Sequence, residues 1–589
     1  MPPPPSALGP NALMVLQKRY LRKDPTGRVV ESPEQMFRRV ARNIAAVSAR
    51  YGDRGGEEEE EFFEAMRRLE FLPNSPTLMN AGTDIQQLSA CFVIPVEDSI
   101  EGIYDAVKHA ALIHQTGGGV GLSFSRLRPS GDVVRSTGGV ASGPVTFMKV
   151  FDAATEAIKQ GGRRRGANMG VLRVDHPDIV SFVRAKEDYV ALSNFNISVA
   201  ATDEFMRRAG EGEDIGLVNP RTGREEKRMN ATELMERIAV NAWRTGDPGM
   251  IFLDRVNRDN PNPQLGEIEA TNPCGEVPLL PYEACNLGSI NLNRMVDDGS
   301  VDWEKLGSTV DLAVRFLDNV IDANRYPLPQ TERMVQGNRK IGLGIMGFAD
   351  LLLRLGIRYG STRSKEVAEE LTAFLRSHAE KTSREIAESR GSFPFIDQSV
   401  ITSPRRNATL LSMAPTGTIS IIAGCSSGIE PLYAVIYARN VTEGRMEEVH
   451  PLFRSLAQEH GFDSSELLQK VGERHSVQGL KELPADVREI FVTAHDVPFD
   501  QQVDMQAAFQ RHVDNAVSKT INLPPSASWS EAYQAFMYAH ARGCKGVTVY
   551  REGSKPGQVL TTIRDQTRCP TCGIRLRSEE GALECQTCG

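Results

Sequence analysis

Nine cysteines are spread unevenly over 589 residues, and their spacing limits the chemistry each could do. Four stand in two CxxC pairs near the end of the chain, Cys569/Cys572 and Cys585/Cys588. Four thiolates satisfy a tetrahedral Zn²⁺, and a tail of about 20 residues needs such a staple to fold. The same pairs without metal could attack a disulfide as a mobile thiol shuttle. Both uses stay open. Cys274 stands in "NPCGE", 272–276, with an amide (Asn272) and a carboxylate (Glu276) on either side and Pro273 and Gly275 stiffening the turn. It has no second cysteine at ligand spacing. Cys91 in "LSACFVIP" and Cys285 in "YEACNLGSINL" are equally isolated. Taken singly, each of the three reads as a buried core thiol. Cys425 and Cys544 read as structural thiols.

Two glycine-bearing loops could hold a ligand. "QTGGGVGLSFSRLRPSGD", 115–132, follows a helical pattern and precedes a strand-like run, so a ligand could approach its backbone closely. "MAPTGTIS", 413–420, follows a strand-like stretch and offers backbone N–H groups with the hydroxyls of Thr416 and Thr418 to an anion. It lacks the Lys of a nucleotide-hydrolysing phosphate loop, and a plain helix cap is the competing reading. "GLGIMG", 342–347, matches the dinucleotide-binding glycine pattern, but "QGNRKI" before it makes a poor buried strand. Its glycines read as letting a helix start pack tightly.

The elements that must position these residues alternate between helix and strand. "SPEQMFRRVARNIAAVSARYG" opens on a Ser32-Pro33-Glu34 helix start, and Glu57–Glu61 reads as a solvated helix start. Residues 99–115 read as an amphipathic helix with Ile100, Ile103, Val107, Ala110 and Ile113 on one side, and 365–391 as a long helix ended by Gly391. "ATLLSM", 408–413, and "KGVTVYR", 545–551, read as strands. The expected organisation is a helical region over 1–70, an α/β body over 71–551, a linker over 552–568 and a cysteine-rich tail over 569–589.

Composition narrows the class. The chain is 40% hydrophobic and 24% charged, with a net charge of −8, which disfavours a nucleic-acid-binding surface. "MPPPPSALGP" has no apolar run, and no stretch approaches about 18 uninterrupted apolar residues. A cytoplasmic protein with neither membrane nor nucleic-acid partners is expected.

The isolated cysteines and the loops together resemble the catalytic chain of ribonucleotide reductases. The resemblance rests on "LPNSPTLMNAG" (72–82), "SACFVIPVEDS" (89–99), "GGGVGLSFSRLR" (118–128), "GGRRRGANMGVL" (161–172), "NPCGEVPL" (272–279), "ACNLGSINL" (284–292) and "APTGTIS" (414–420). It implies a ten-stranded α/β barrel of two antiparallel, five-stranded parallel halves around a central finger loop. It implies a thiyl radical on Cys274 that takes the 3′ hydrogen of a ribose, Glu276 as general base on the 3′-hydroxyl, and Asn272 orienting the sugar. Cys91 and Cys285 would supply two electrons and end as a disulfide. The nucleotide would touch Ser75, Ala90, Cys91, Gly119 and residues 272–276, with its diphosphate on Pro415, Thr416, Gly417, Thr418 and Ile419. Asp98, Ser99, Arg128 and Arg135 fall at positions resembling an effector site for a deoxynucleotide or ATP across a homodimer, with Gly162 to Asn168 as the relay loop.

The resemblance also bears on the radical source. Relatives that use a metal-and-tyrosyl partner chain relay through two adjacent tyrosines, whereas here Tyr550 is followed by Arg551. Glycyl-radical relatives lack the finger-loop Glu, whereas Glu276 is present. "TGGGVGLSFSRLRPSGD" and the cysteine tail are most similar to the adenosylcobalamin-dependent class, and no Asp-x-His-x-x-Gly stretch suggests the His-on cobalamin mode. A thioredoxin-like reductant and a diphosphate substrate are implied. The N-terminal region reads as too short for an ATP-binding activity module. A reductase needing a separate radical chain and a catalytically silent nucleotide-binding regulator are the competing readings.

Overall fold

The computed structural model of the chain describes residues 8–52, 55–134, 138–159, 166–188, 191–441, 444–555, 560–561, 577–579 and 582–584. Arg135, the relay stretch 162–165, most of the linker and Cys569, Cys572, Cys585 and Cys588 lie outside the described residues.

Local sequence explains the first helices. Ser32 caps Pro33–Ala45 in a reciprocal box with Gln35, and proline fills the first turn, where its missing N–H costs nothing. Met36, Phe37, Val40, Ala41 and Ile44 then recur at helical spacing and are all buried. Each larger side chain contributes about 1.5–3 kcal/mol on full burial. Gly55–Arg67 follows with Glu57 and Glu58 in its first turn.

After β1 (Phe71–Pro73), the body is a barrel of strands β2 (Cys91–Pro95), β3 (Gly119–Ser123), β4 (Asn168–Arg173), β5 (Phe195–Ala201), β6 (Gly249–Phe252), β7 (Ala284–Asn291), β8 (Ile341–Met346), β9 (Thr520–Leu523) and β10 (Gly546–Arg551). Strands β2 to β6 pair in order and all parallel. In the second half β7 pairs parallel with β8, and β9 with β10. Between β8 and β9, parallel bridges Leu343–Leu411 and Met413–Val517 carry the pairing across. The halves meet antiparallel at both seams, β2 with β7 and β6 with β10. This is the expected ten-stranded arrangement, with 411–413 completing the second half by isolated bridges rather than a continuous strand. β1 adds to the outer flank of β7. Parallel strands are covered on both faces, which is why β3, β6, β7 and β8 are buried along their whole length.

Two expectations need correction. "GLGIMG" begins inside β8, a wholly buried strand, so Gly342 and Gly344 belong to that strand, and of the three glycines only Gly347 stands at a helix start, as the N-cap of Phe348–Arg354. A Cβ on Gly344 would lie 2.3 Å from the Ser412 carbonyl oxygen, so glycine permits the close approach of the 411–413 segment. Of the polar residues before β8, which argued against a strand, Asn338 and Lys340 are buried and bond Glu283. The helix Ile100–Gln115 forms with Ser99 as its cap, but Ile100 is 65% exposed and Val107 only half-buried. Ile103, Ala106, Ala110 and Ile113 make its inner face. The long helix is Thr362–Arg390, with Gly391 following it as read. No helix among the described residues is long and apolar enough to cross a membrane.

Candidate active site

"NPCGE" is the tip of a hairpin. Ala270–Thr271 pairs antiparallel with Pro278–Leu279. Between them the Asn272 side chain accepts from the Val277 amide at 2.9 Å, the Gly275 amide donates to the Asn272 carbonyl at 3.0 Å, and Gly275 has φ +84°. A tight turn is thus closed largely by one asparagine.

The loop crosses the barrel interior, because it touches both halves. On one side Asn196 on β5 donates to the Pro273 carbonyl at 2.8 Å. On the other, the Glu276 carbonyl accepts from the Ser412 hydroxyl and the Ala516 amide, both at 2.9 Å. Underneath, a Cβ on Gly121 would lie 2.0 Å from the Thr271 carbonyl oxygen, so only glycine lets the loop lie on β3. Gly121→Ala is expected to cost about 1–3 kcal/mol through overpacking. Displacing the tip by about 1 Å is expected to lower turnover about 100-fold. A thermal melt beside a rate measurement checks it; a variant with parental rate would show that the tip does not depend on this contact.

Two of the three isolated cysteines converge. Cys91 and Cys285 face each other in the β2–β7 register, and Gly119 on β3 is the next partner of Cys91. Directly opposed residues of antiparallel strands have Cα atoms about 4.5–5.5 Å apart, inside the roughly 4.4–6.8 Å span of disulfides. Both thiols belong to the small interior core that also holds Val277 and Leu279 of the hairpin. Asn272 Nδ2 donates to Cys91 Sγ at 3.2 Å, which ties the loop to this pair. Burial pushes the Cys285 thiol well up, so it stays protonated at neutral pH. Among the five described cysteines Cys274 is the exposed one, while Asn272 and Glu276 beside it are buried. Cys544 is wholly buried and its thiol is pushed up to about 12 by burial, as a structural thiol should be.

The remaining candidates fall around this centre. Ala90 bonds the Cys285 carbonyl, and Ser75 opens the helix Ser75–Asn80 next to the Asn74 amide, which bonds Leu287 of β7. The segment Ser412–Met413 at the fingertip base leads directly into Pro415–Thr418. Thr416 has φ +52°, a conformation that costs a β-branched residue about 1–3 kcal/mol and is held by the Gly428 amide donating to its hydroxyl at 2.7 Å. Gly417 is exposed and Thr418 caps the short helix Ile419–Ala423. Asp98 and Arg128 form an ion pair at 2.9 Å, and Ser99 caps its helix.

Sequence reasoning missed the supports. Glu283, two residues before Cys285, forms a buried ion pair with Lys340 at 2.6 Å and also accepts from the Leu280 amide. Its signal was an acidic residue directly before a strand-like run. Asn196 and Ser412 carry no signal of that kind. Also missed was a cleft of about 860 Å³ lined by Ser420, Cys425, Tyr433, Asn522 and Tyr550 among others. Arg551, next to Tyr550, lies over the Trp243 ring at 4.4 Å and donates to the Trp243 carbonyl.

A barrel with a thiol-bearing loop through its middle and a cysteine pair across one seam is the architecture of a thiol-dependent barrel enzyme. The family descriptions "Ribonucleotide reductase, all-alpha domain" and "Ribonucleotide reductase, barrel domain" match residues 6–86 and 89–403 with 395–550, so the chain belongs to the ribonucleotide reductase family. It is similar to the vitamin B12-dependent ribonucleoside-diphosphate reductase of Thermoplasma acidophilum, at 46% identity over 95% of this chain and 81% of that one. A protein of the same description from Mycobacterium tuberculosis is 50% identical over 93% of this chain and 78% of its own. The alpha subunit of the class Id ribonucleotide reductase of Actinobacillus ureae shares the fold, with a TM-score of 0.78 at 22% identity, covering 93% of this chain and 97% of that chain.

Proposed function

We propose that the chain reduces ribonucleoside diphosphates to 2′-deoxyribonucleotides with adenosylcobalamin as the radical source, supplying precursors for DNA. The observation that carries this is the exposed Cys274 thiol on a loop that hydrogen-bonds to the Cys91/Cys285 pair. Its relatives at 46–50% identity are named for vitamin B12 and for diphosphates.

The residues present suit such a cofactor. The thiol that must be reached is exposed, and a cleft at the upper end of the usual range for ligand sites adjoins the helix after the Thr416 loop. Ser420, Tyr433, Asn522 and Tyr550 would hold the group there. Bound adenosylcobalamin would supply the homolytic chemistry that leaves a thiyl radical on Cys274. A tyrosyl relay is disfavoured, because the position of its second tyrosine is Arg551, fixed on Trp243.

The chain's own residues do the rest. Cys274 removes the 3′ hydrogen, which is feasible because S–H and activated C–H bonds are of similar strength. Glu276 takes the 3′-hydroxyl proton, and the 2′-hydroxyl leaves as water. Asn272 orients the sugar, with one hydrogen bond already made to Cys91. Cys91 and Cys285 deliver two electrons and two protons, one to the leaving 2′-hydroxyl and one to C2′, and become a disulfide; Glu276 returns its proton to the 3′-oxygen, and the 3′ hydrogen returns from Cys274. Ser75, Ala90 and Gly119 would line the nucleoside, and Pro415 to Ile419 its diphosphate. Because the pair must be re-reduced by a dithiol, either a thioredoxin-like protein or the tail cysteines would do this, in a reducing compartment such as the cytoplasm. Zinc in the tail remains the alternative use of those four thiols. The exposed Ile100, Tyr104 and Leu112 of one helix, beside the Asp98–Arg128 pair, favour a homodimer with the deoxynucleotide or ATP effector at that seam.

Purified chain with adenosylcobalamin, a small dithiol and CDP is expected to form dCDP with no other protein. Product that appears only when a second protein chain is added would overturn the cobalamin reading.

A further inference from the structure

The described residues between 431 and 497 form a lobe beside the barrel with helices Pro451–Glu459, Ser465–Gly472 and Ala485–Ile490. It has its own core around Phe453, Phe462 and Phe491. Two histidines of this lobe meet one carboxylate of the barrel. His475 and His495, from two lobe loops, converge on Glu552, the residue after β10. His475 Nε2 lies 2.8 Å from one Glu552 oxygen, His495 Nδ1 lies 3.6 Å from the other, and the two rings are 4.5 Å apart. One ligand atom from each residue falls within 4.8 Å of the other two.

We propose that His475, His495 and Glu552 form a divalent-cation site of zinc type that pins the lobe to the end of β10. Two imidazoles and one carboxylate, with a fourth position left for water, are a donor set suited to Zn²⁺ and its borderline neighbours rather than to Mg²⁺ or Ca²⁺, which prefer all-oxygen cages. Zinc–ligand distances of about 2.0–2.2 Å require the 2.8 Å pair to open by only a few tenths of an ångström.

Two features support a built site. The loops that carry the histidines are braced by one carboxylate, since Asp496 accepts from the Thr493 amide and hydroxyl and from the Ser476 hydroxyl. The Tyr433 ring meets both imidazoles edge-on and fixes their planes. Because His495 and Glu552 also line the cleft, the ion would fix one end of its wall.

The test uses the full chain with Cys569→Ser, Cys572→Ser, Cys585→Ser and Cys588→Ser, which removes the tail thiols from the metal count. After chelator treatment it is titrated with Zn²⁺ and, separately, with Co²⁺. The expected results are one zinc per chain, a visible cobalt spectrum with no sulfur-to-cobalt charge transfer, and a zinc-dependent rise in melting temperature. His495→Ala or Glu552→Gln should weaken zinc binding by at least about tenfold. A second measurement needs no substitution: in the unaltered full chain, Zn²⁺ should slow acylation of His475 and His495 by diethyl pyrocarbonate, mapped by mass spectrometry. No zinc on the serine variant, equal zinc binding by His495→Ala and Glu552→Gln, or acylation indifferent to zinc would each overturn the site.

Discussion

Cys274→Ser is expected to remove turnover by on the order of 10⁶-fold or more, the lower end of enzymatic rate acceleration, while substrate affinity stays at the parental value. The loop explains the separation. Its shape is set by the Asn272 side chain on the Val277 amide, by Asn196 on Pro273 and by Ser412 and Ala516 on Glu276. Those bonds run through backbone groups and other side chains, so a hydroxyl in place of the thiol leaves the tip standing. What it removes is the S–H bond, weak enough to be opened and strong enough to abstract from the sugar. Glu276→Gln should fall less, by about 10²–10⁴-fold, because a general base assists a step that the radical starts. Deoxynucleotide yield by chromatography and CDP binding by equilibrium dialysis read the two effects separately. A Cys274→Ser enzyme that still turned over, or one that lost CDP binding in parallel, would contradict the role given to this thiol.

Lys340→Met is expected to destabilise the folded chain by about 3–5 kcal/mol, a large loss for one side chain. The pair it forms with Glu283 has both members almost wholly removed from water, and Glu283 also accepts from Asn338 and the Leu280 amide. Removing the ammonium leaves a carboxylate in the core with a charge that nothing else there neutralises. The same change should push the Cys285 thiol further up, because Lys340 is the charge that opposes its burial. Glu283→Gln combined with Lys340→Met should recover much of the loss, since no bare charge remains. Urea midpoints of the two single variants and the double variant check this. Parental midpoints in both singles would mean that the pair contributes nothing to stability.

The chain's sequence alone determined the elements whose signals are local. The Ser32 box, the Ser99 cap and the stop at Gly391 each act within a few residues of themselves, so their helices could be placed before any neighbour was known. It also determined the cast of the site, because the ordered motifs around Cys91, Cys274 and Cys285 resemble one family. Tertiary structure decided what depends on distant partners. The face of Ile100–Gln115 that is buried, the strand at "GLGIMG" and the pairing of Glu283 with Lys340 follow from packing across the barrel, where burial overrides local preference. The register that sets Cys91 opposite Cys285 was implied only by resemblance, since a one-residue slip in either strand would have sent one thiol to the other face. His475, His495 and Glu552 carry no spacing signal at all; only the docking of the lobe on β10 brings their side chains to one point.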